Sequence, residues 1–246
     1  MAGSAQRRGI VVGGAGGIGR AIVAAARALG DDVLVMDRAP AASGDIACDQ
    51  ADPASVAAAF AEADRRFSGA APDWMVAAAS ISRRHDLLTA TCEEMQTLFA
   101  VNVLGTAMLA QQAARRMRCA GRGHIVVITS IAAAQAWAQE AFYGVTKAAQ
   151  AALVQGLAVE LGPLGIAVNA VGPGAVAVAS RGMVATRDDP DAMAGIIART
   201  PAGRLGTPEE IAEAVLFLTR SGWITGQTLY VDGGYLAAGM MAPPDD

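Results

Sequence analysis

Two side chains four residues apart carry the most specific chemistry in this sequence. Tyr143 and Lys147 lie in an alanine-rich, proline-free stretch, Phe142 to Leu161. Residues four apart share one face of a helix. A phenol titrates near 10 when unperturbed, and an ammonium beside it favours the phenolate and lowers that value. The pair is therefore expected to give or take a proton at a substrate oxygen near neutral pH. Composition also singles out the lysine: of 19 Lys and Arg residues, Lys147 is the one lysine. Ser130, at the end of the apolar run from His124, is suited to donate a hydrogen bond to an oxygen on which charge develops.

A second constellation reads as a phosphate cradle. Gly13-Gly14-Ala15-Gly16-Gly17-Ile18-Gly19 joins the apolar run Arg8–Gly13 to a helical pattern from Gly17 to Leu29. Glycines let the backbone approach a pyrophosphate without a Cβ in the way. The helix start adds free N–H groups and a positive dipole end. Gly14, Gly16 and Gly19 fit one dinucleotide spacing, G-x-G-x-x-G, and Gly13, Gly17 and Gly19 fit a wider one, G-x-x-x-G-x-G. The sequence does not choose between them. Asp37 closes the next apolar run, 18 residues after Gly19. A carboxylate there accepts from both hydroxyls of an adenosine ribose and repels a 2′-phosphate. NAD is thus expected over NADP, with the adjacent Arg38 softening the preference. Beside such a cofactor the compact ammonium of Lys147 reaches two ribose hydroxyls at once.

The elements that must position these groups follow from periodicity. Apolar runs predict strands at Arg8–Gly13, Asp32–Met36, Ile46–Cys48, Trp74–Ala79, His124–Ser130, Ile166–Val171 and Gln227–Val231. Helical patterns separate them at 17–29, 53–67, 92–119 (as one or two helices), 142–161 and 208–219, the last with Thr207 as N-cap. Continuously apolar strands alternating with helices predict a parallel sheet covered on both faces. The expectation is an α/β chain with a doubly wound, seven-stranded Rossmann sheet, one domain over residues 1–246. Segment 175–199 breaks the rhythm and is expected to form a substrate lid.

Composition narrows the partners. The net charge is −4 and the basic residues are scattered, which argues against nucleic acid. No apolar run is long enough to span a bilayer, and the short polar start, Met1 to Arg8, does not read as a signal peptide. Three widely spaced cysteines, Cys48, Cys92 and Cys119, fit a reducing, cytoplasmic setting. His85 and His124 are isolated, so no metal site is expected.

Taken together, the glycine loop, Asp37, Asp49, Asn102, the Ser130–Tyr143–Lys147 array, Pro173-Gly174 and Val231-Asp232-Gly233-Gly234 make the chain resemble the short-chain dehydrogenase/reductase family, in its branch of about 250 residues. The resemblance implies hydride transfer between a nicotinamide and the carbon of a secondary alcohol or ketone. It implies catalytic roles for Asn102, Ser130, Tyr143 and Lys147. Tyr143 would exchange the proton, Ser130 orient the substrate oxygen, and Asn102, through a kinked helix, hold a water linking Lys147 to solvent. The cofactor would lie on Gly13, Gly16, Gly17, Ile18, Gly19, Asp37, Arg38, Asp49, Ala79, Tyr143, Lys147, Pro173, Gly174 and Val176. A homotetramer is implied as well.

Three departures are visible. Val12 stands where the family usually has threonine, Ala77-Ala78-Ala79-Ser80 replaces Asn-Asn-Ala-Gly, and Val178 replaces a threonine after Pro-Gly. They weaken the expected hold on the cofactor more than the chemistry, and leave a weakly active NAD-binding protein as a minor alternative. Gln135, Trp137, Gln139 and Glu140 are expected to line the substrate pocket, with Met183 and Val184 in the lid. Arg83, Arg84 and His85 read as a solvated loop, with contact to an anionic substrate as the less favoured alternative. Small alcohols or ketones are the expected substrates, including cyclic alcohols and polyols, with 3-oxoacyl thioesters as the alternative.

Overall fold

Residues 6–83, 86–178 and 189–239 are described by the computed structural model. The expected lid residues Met183 and Val184, and the loop residues Arg84 and His85, lie outside them. Each apolar run becomes a strand: β1 (Arg8–Val12), β2 (Asp32–Asp37), β3 (Ile46–Ala47), β4 (Trp74–Ala77), β5 (Gly123–Ile128), β6 (Ile166–Pro173) and β7 (Thr228–Val231). All pair in parallel, in the order β3-β2-β1-β4-β5-β6-β7. The chain steps outward from β1 to β3, then returns across β1 to continue with β4. That reversal is the switch point of a doubly wound Rossmann sheet, where a crevice opens beyond the strands' carboxyl ends.

The sheet is apolar on both faces because both are covered. Alternate side chains of one strand point opposite ways. Ile10 and Val12 pack with Phe60, Leu109 and Val154 beneath α2 (Pro53–Arg66), α4 (Thr106–Ala120) and α5 (Ala141–Leu161). Val11 packs with Ile22, Ile211 and Val215 beneath α1 (Gly17–Ala28) and α7 (Pro208–Leu218). The predicted cap of α7 is present: Thr207 and Glu210 form a reciprocal capping box, which satisfies two backbone donors left open at a helix start.

Several bounds differ from expectation, and the differences fall at the site. Strands β4 and β5 stop two residues early, at Ala77 and Ile128, so the chain leaves the sheet with its backbone facing the crevice. The expected helix 92–119 is α3 (Cys92–Phe99), a π-helical stretch at Ala100–Gly105, and α4. Segment 175–199 is also not wholly irregular, since Pro190–Arg199 forms α6. Its N-cap is Asp189, whose carboxylate accepts from the Ala192 N–H. Asp-Pro at N-cap and N1 is a start signal legible in sequence.

Candidate active site

The crevice beyond the strands is a cleft of about 560 Å³. Its floor is the glycine turn. Gly13 takes φ +82°, and a Cβ there would stand 2.5 Å from the backbone nitrogen of Ala79; a Cβ on Gly19 would meet the Gly13 carbonyl oxygen at 2.1 Å. These two positions demand glycine, which selects the wider spacing, Gly13, Gly17 and Gly19. The turn is held by main-chain bonds: Gly13 N–H donates to Met36 O at 2.7 Å and Gly16 N–H to Gly13 O at 3.1 Å. Gly16 is the N-cap of α1, with no side chain capping the first turn, so this helix start suits an anionic group.

The expected residues converge on this crevice. Gly13, Gly16, Gly17, Ile18, Gly19, Arg38, Ser130, Tyr143, Pro173, Gly174 and Val176 line the cleft. Asp37, Asp49 and Ala79 line an adjoining hollow with Arg38. Asp37 is anchored at both oxygens: Oδ2 accepts from Ala15 N–H and Oδ1 from Ala39 N–H, each at 3.1 Å. Lys147 and Asn102 stand behind the wall, 1% and 0% exposed.

Ser130 caps a short 3-10 turn, Ile131–Ala133, its hydroxyl accepting from the Ala132 N–H at 3.1 Å, and it stands near enough to the Tyr143 phenol to favour the phenolate. Lys147 Nζ donates to Ile128 O at 3.0 Å and lies 5.5 Å from the centre of the Tyr143 ring. The expected lowering of the tyrosine is not found in this state. Burial pushes the phenol up to about 12; Ser130 opposes this and Glu140 adds to it. Burial also pushes Lys147 down to about 7. A buried ammonium with one carbonyl partner loses more solvation than it regains, so near neutrality its charge is only partly present to act on the phenol.

Asn102 sits in the π-helical stretch, the kink expected of its helix. Its side chain grips Ile81, Oδ1 accepting from the Ile81 N–H and Nδ2 donating to its carbonyl, both at 2.9 Å; Nδ2 also donates to Thr146 Oγ1 at 3.1 Å. Its own carbonyl accepts from Thr106 Oγ1 and from Gln150 Nε2, each at 2.7 Å. Both lone pairs of that oxygen are therefore used within the chain. The geometry makes Asn102 a positioning residue, tying the loop after β4 to the helix that bears Tyr143 and Lys147.

A family model described as enoyl-(acyl carrier protein) reductase matches residues 13–236. The short-chain reductase protein NovJ of Streptomyces niveus is 38% identical over 244 residues, covering 92% of each chain. The L-xylulose reductase of Mus musculus is 35% identical over 242 residues, covering 96% of this chain and 98% of its own. The chain belongs to the short-chain dehydrogenase/reductase family. Among solved structures, a gluconate 5-dehydrogenase from Burkholderia cenocepacia J2315 in complex with NADP and tartrate superposes with a TM-score of 0.87 at 31% identity, over 95% of this chain and 96% of that one. As a member of this family the protein is a nicotinamide-dependent oxidoreductase acting between alcohol and ketone.

Against that family pattern, sequence reasoning missed Thr146, Gln150 and Gln50. Thr146 and Gln150 are buried on the face of α5 that carries Lys147. With Tyr143 they form a polar stripe at i, i+3, i+4 and i+7 in an alanine-rich helix, a pattern legible in sequence. Gln50 donates to the Val101 carbonyl at 2.8 Å and the Ala79 carbonyl at 3.2 Å, holding the loop after β4 where family members usually have asparagines. Gln135 and Trp137, expected in the pocket, instead turn to the C-terminal side: Gln135 accepts from Arg199, and Trp137 stacks on Tyr235 at 5.4 Å.

Proposed function

We propose that the protein is an NAD-preferring dehydrogenase of small secondary alcohols, cyclic or polyhydroxylated, with Tyr143 as general acid and base. The observation that carries this reading is that Ser130 and Tyr143 line one cleft, with Lys147 buried behind, 5.5 Å from the centre of the Tyr143 ring. Bound on the glycine turn, the nicotinamide group would supply or accept the hydride. Everything else falls to the chain's own side chains. Ser130 donates to the substrate oxygen and orients it. Tyr143 gives a proton to that oxygen during reduction or takes it during oxidation. Lys147 reaches the ribose hydroxyls, and Asn102 holds the assembly in register.

The preference for NAD rests on Asp37, whose carboxylate is fixed at the end of β2 where a 2′-phosphate would stand; Arg38 beside it is the counterweight. Gly13, Gly16, Gly17, Ile18, Gly19, Asp49, Ala79, Pro173, Gly174 and Val176 complete the cofactor bed. Segment 175–199 serves as the substrate cover, a role supported by Val176 and Val178 in the cleft lining. An acyl-thioester ketone is not favoured, given relatives named for a ketose and a sugar acid.

A homotetramer in the cytoplasm completes the reading. Supporting it are an apolar groove along α4 and α5, lined by Ala107, Ala110, Ala114, Leu157, Leu161 and Leu164, and the 99%-exposed Trp223. No helix among the described residues is long and apolar enough to cross a membrane.

One experiment tests the activity: NAD reduction followed at 340 nm (about the absorbance maximum of reduced nicotinamide) against a panel of secondary alcohols, with NADH oxidation against the matching ketones. Calorimetric titration with both cofactors accompanies it. Turnover with NAD bound more tightly than NADP is expected. Binding of NAD without turnover of any panel member would restore the non-catalytic alternative. Light scattering that finds only a 24.9 kDa particle would refute the tetramer.

A further inference from the structure

The described lining of the cleft carries charge of one sign. It holds two charged side chains, Arg38 and Arg83, and no carboxylate, in a chain whose net charge is −4. The two arginines belong to opposite ends. Arg38 follows β2 beside Asp37 and faces the expected ribose position. Arg83 lies six residues past the end of β4, in the run whose Ile81 is clamped at both N–H and carbonyl by Asn102. Asn102 is bonded in turn to Thr146, between Tyr143 and Lys147 on α5. Arg83 therefore stands two residues from an anchor fixed to the reacting side chains, and Ser82, Thr97, Ser130 and Tyr143 line the same cleft.

Several other arginines have carboxylate partners within the chain. Arg116 is held by Asp64 at 2.6 Å, Arg204 by Glu210 at 2.6 Å and Arg122 by Asp73 at 3.2 Å. Among the described residues no carboxylate pairs with Arg83. A guanidinium with no acidic partner, at the reacting end of a cleft that has no acid in its described lining, is set up to take an anion from outside. Its planar fork matches the two oxygens of a carboxylate. A phosphate monoester carries nearly two charges and would call for a second cation; besides Arg38 near the glycine turn, Arg83 is the one charged side chain in the described lining of the cleft.

We propose that Arg83 selects substrates bearing a carboxylate in addition to the reacting hydroxyl or carbonyl. Ser130 and Tyr143 engage the reacting oxygen while Arg83 holds the carboxylate at the far end of a small hydroxy or oxo acid. This rests on the alcohol–ketone activity proposed above and names its substrate class.

The test uses matched pairs that differ in charge and little in shape: 4-hydroxycyclohexanecarboxylate with its carboxamide, and gluconate with glucitol. Each is assayed at saturating NAD in the wild-type enzyme, Arg83→Met and Arg83→Lys. The wild type is expected to prefer the acid of each pair in kcat/KM by about tenfold or more, a margin typical of one charge-assisted contact, and to show it mainly in KM. In Arg83→Met the ratio of acid to neutral should fall towards one, and Arg83→Lys should keep part of it. Arg83 is exposed, so neither change threatens folding. A preference for the acid that survives in Arg83→Met overturns the proposal, as does wild-type turnover of the neutral members alone, which leaves the dehydrogenase reading standing. No hydride transfer with any member in either direction, from protein that binds NAD, overturns both.

Discussion

The two ends of the cleft are built by different means. At the glycine turn the structure is made by main chain: Gly13 to Met36, Gly16 to Gly13, and Ala78 N–H to the Val12 carbonyl at 2.8 Å. Among the described residues Asp37 is the side chain that hydrogen-bonds into the turn, through the Ala15 N–H. At the catalytic helix the structure is made by side chains. Gln150, Thr106, Asn102 and Thr146 form a buried chain of hydrogen bonds from α4 to α5 and on to Ile81. The contrast explains where this protein departs from its family and where it does not. Val12 and Ala77-Ala78-Ala79 give up side-chain bonds at the end where backbone carries the architecture. Ser130, Tyr143, Lys147 and Asn102 are all retained at the end where a side chain lost leaves a buried polar group unpaired, which costs about 1–3 kcal/mol.

If this contrast is right, substitutions at the side-chain end should have large effects and those at the backbone end small ones. The largest is expected for Tyr143→Phe, which removes the exchangeable proton and keeps the ring. Turnover should drop by about a hundredfold or more, the usual cost of losing a general acid–base, with cofactor affinity by titration little changed. Full activity would mean that another acid serves the reaction.

Next is Lys147. Lys147→Arg keeps the charge, but the wider fork does not fit the fully buried site, so turnover and cofactor affinity should both fall, by about tenfold. A second measurement isolates the burial. Burial pushes Lys147 down to about 7 in the folded protein, from its ordinary 10.5. Between those values the unfolded chain binds more protons than the folded one, so stability rises with pH, by at most about 1.4 kcal/mol per unit. This contribution is full above the unfolded pKa and is lost as pH falls through the folded one. Urea denaturation of cofactor-free protein at pH 6, 8 and 9.5 should show the rise in the wild type and a flatter profile in Lys147→Met. Equal profiles would mean that the ammonium is solvated when folded.

A smaller effect is expected of Gln150→Leu. It leaves the Asn102 carbonyl with one donor, so stability should fall by about 1 kcal/mol. Because Asn102 holds Ile81 beside the reacting side chains, kcat should fall several-fold while KM for the cofactor holds. A stability loss with unchanged kcat would limit Gln150 to packing. The smallest effect is expected at the backbone end. Val12→Thr restores a hydroxyl in the turn and should change NAD affinity by less than about tenfold. A larger gain would show that side chains matter there as much as at the other end.

Much of this was legible in the sequence. The strands follow from continuous apolar runs, and the wider glycine spacing was one of two readings, decided by the left-handed Gly13. Tyr143 and Lys147 were marked by spacing, and Lys147 by composition. The direction of their titration was not legible, because it depends on burial, and four-residue spacing is the same on a wet face and a dry one. Asn102 was visible as a residue, but the use of its carbonyl was not, since that depends on Gln150, 48 positions away. For Arg83 a solvated loop was favoured over contact with an anionic substrate, because a charged loop residue is usually solvated; its place in the cleft is set by the clamp on Ile81, a long-range contact with no local signal. Helix α6, by contrast, was missed within segment 175–199 although Asp189-Pro190 marks its start.

An isolated parallel bridge joins Val176 to Gly206, with Ala177 N–H donating to Gly206 O and Gly206 N–H to Ala175 O, each at 2.9 Å. The two ends of the segment proposed as the substrate cover are thereby tied to each other before the chain enters α7. The entropy of closing that excursion is met at its root, and lengthening a closed loop adds little, about 0.6 kcal/mol per doubling. The stretch between the tied ends is in this sense an interchangeable cartridge. Its length and sequence are free to drift with the molecule being recognised, while the sheet and the catalytic helix remain as they are.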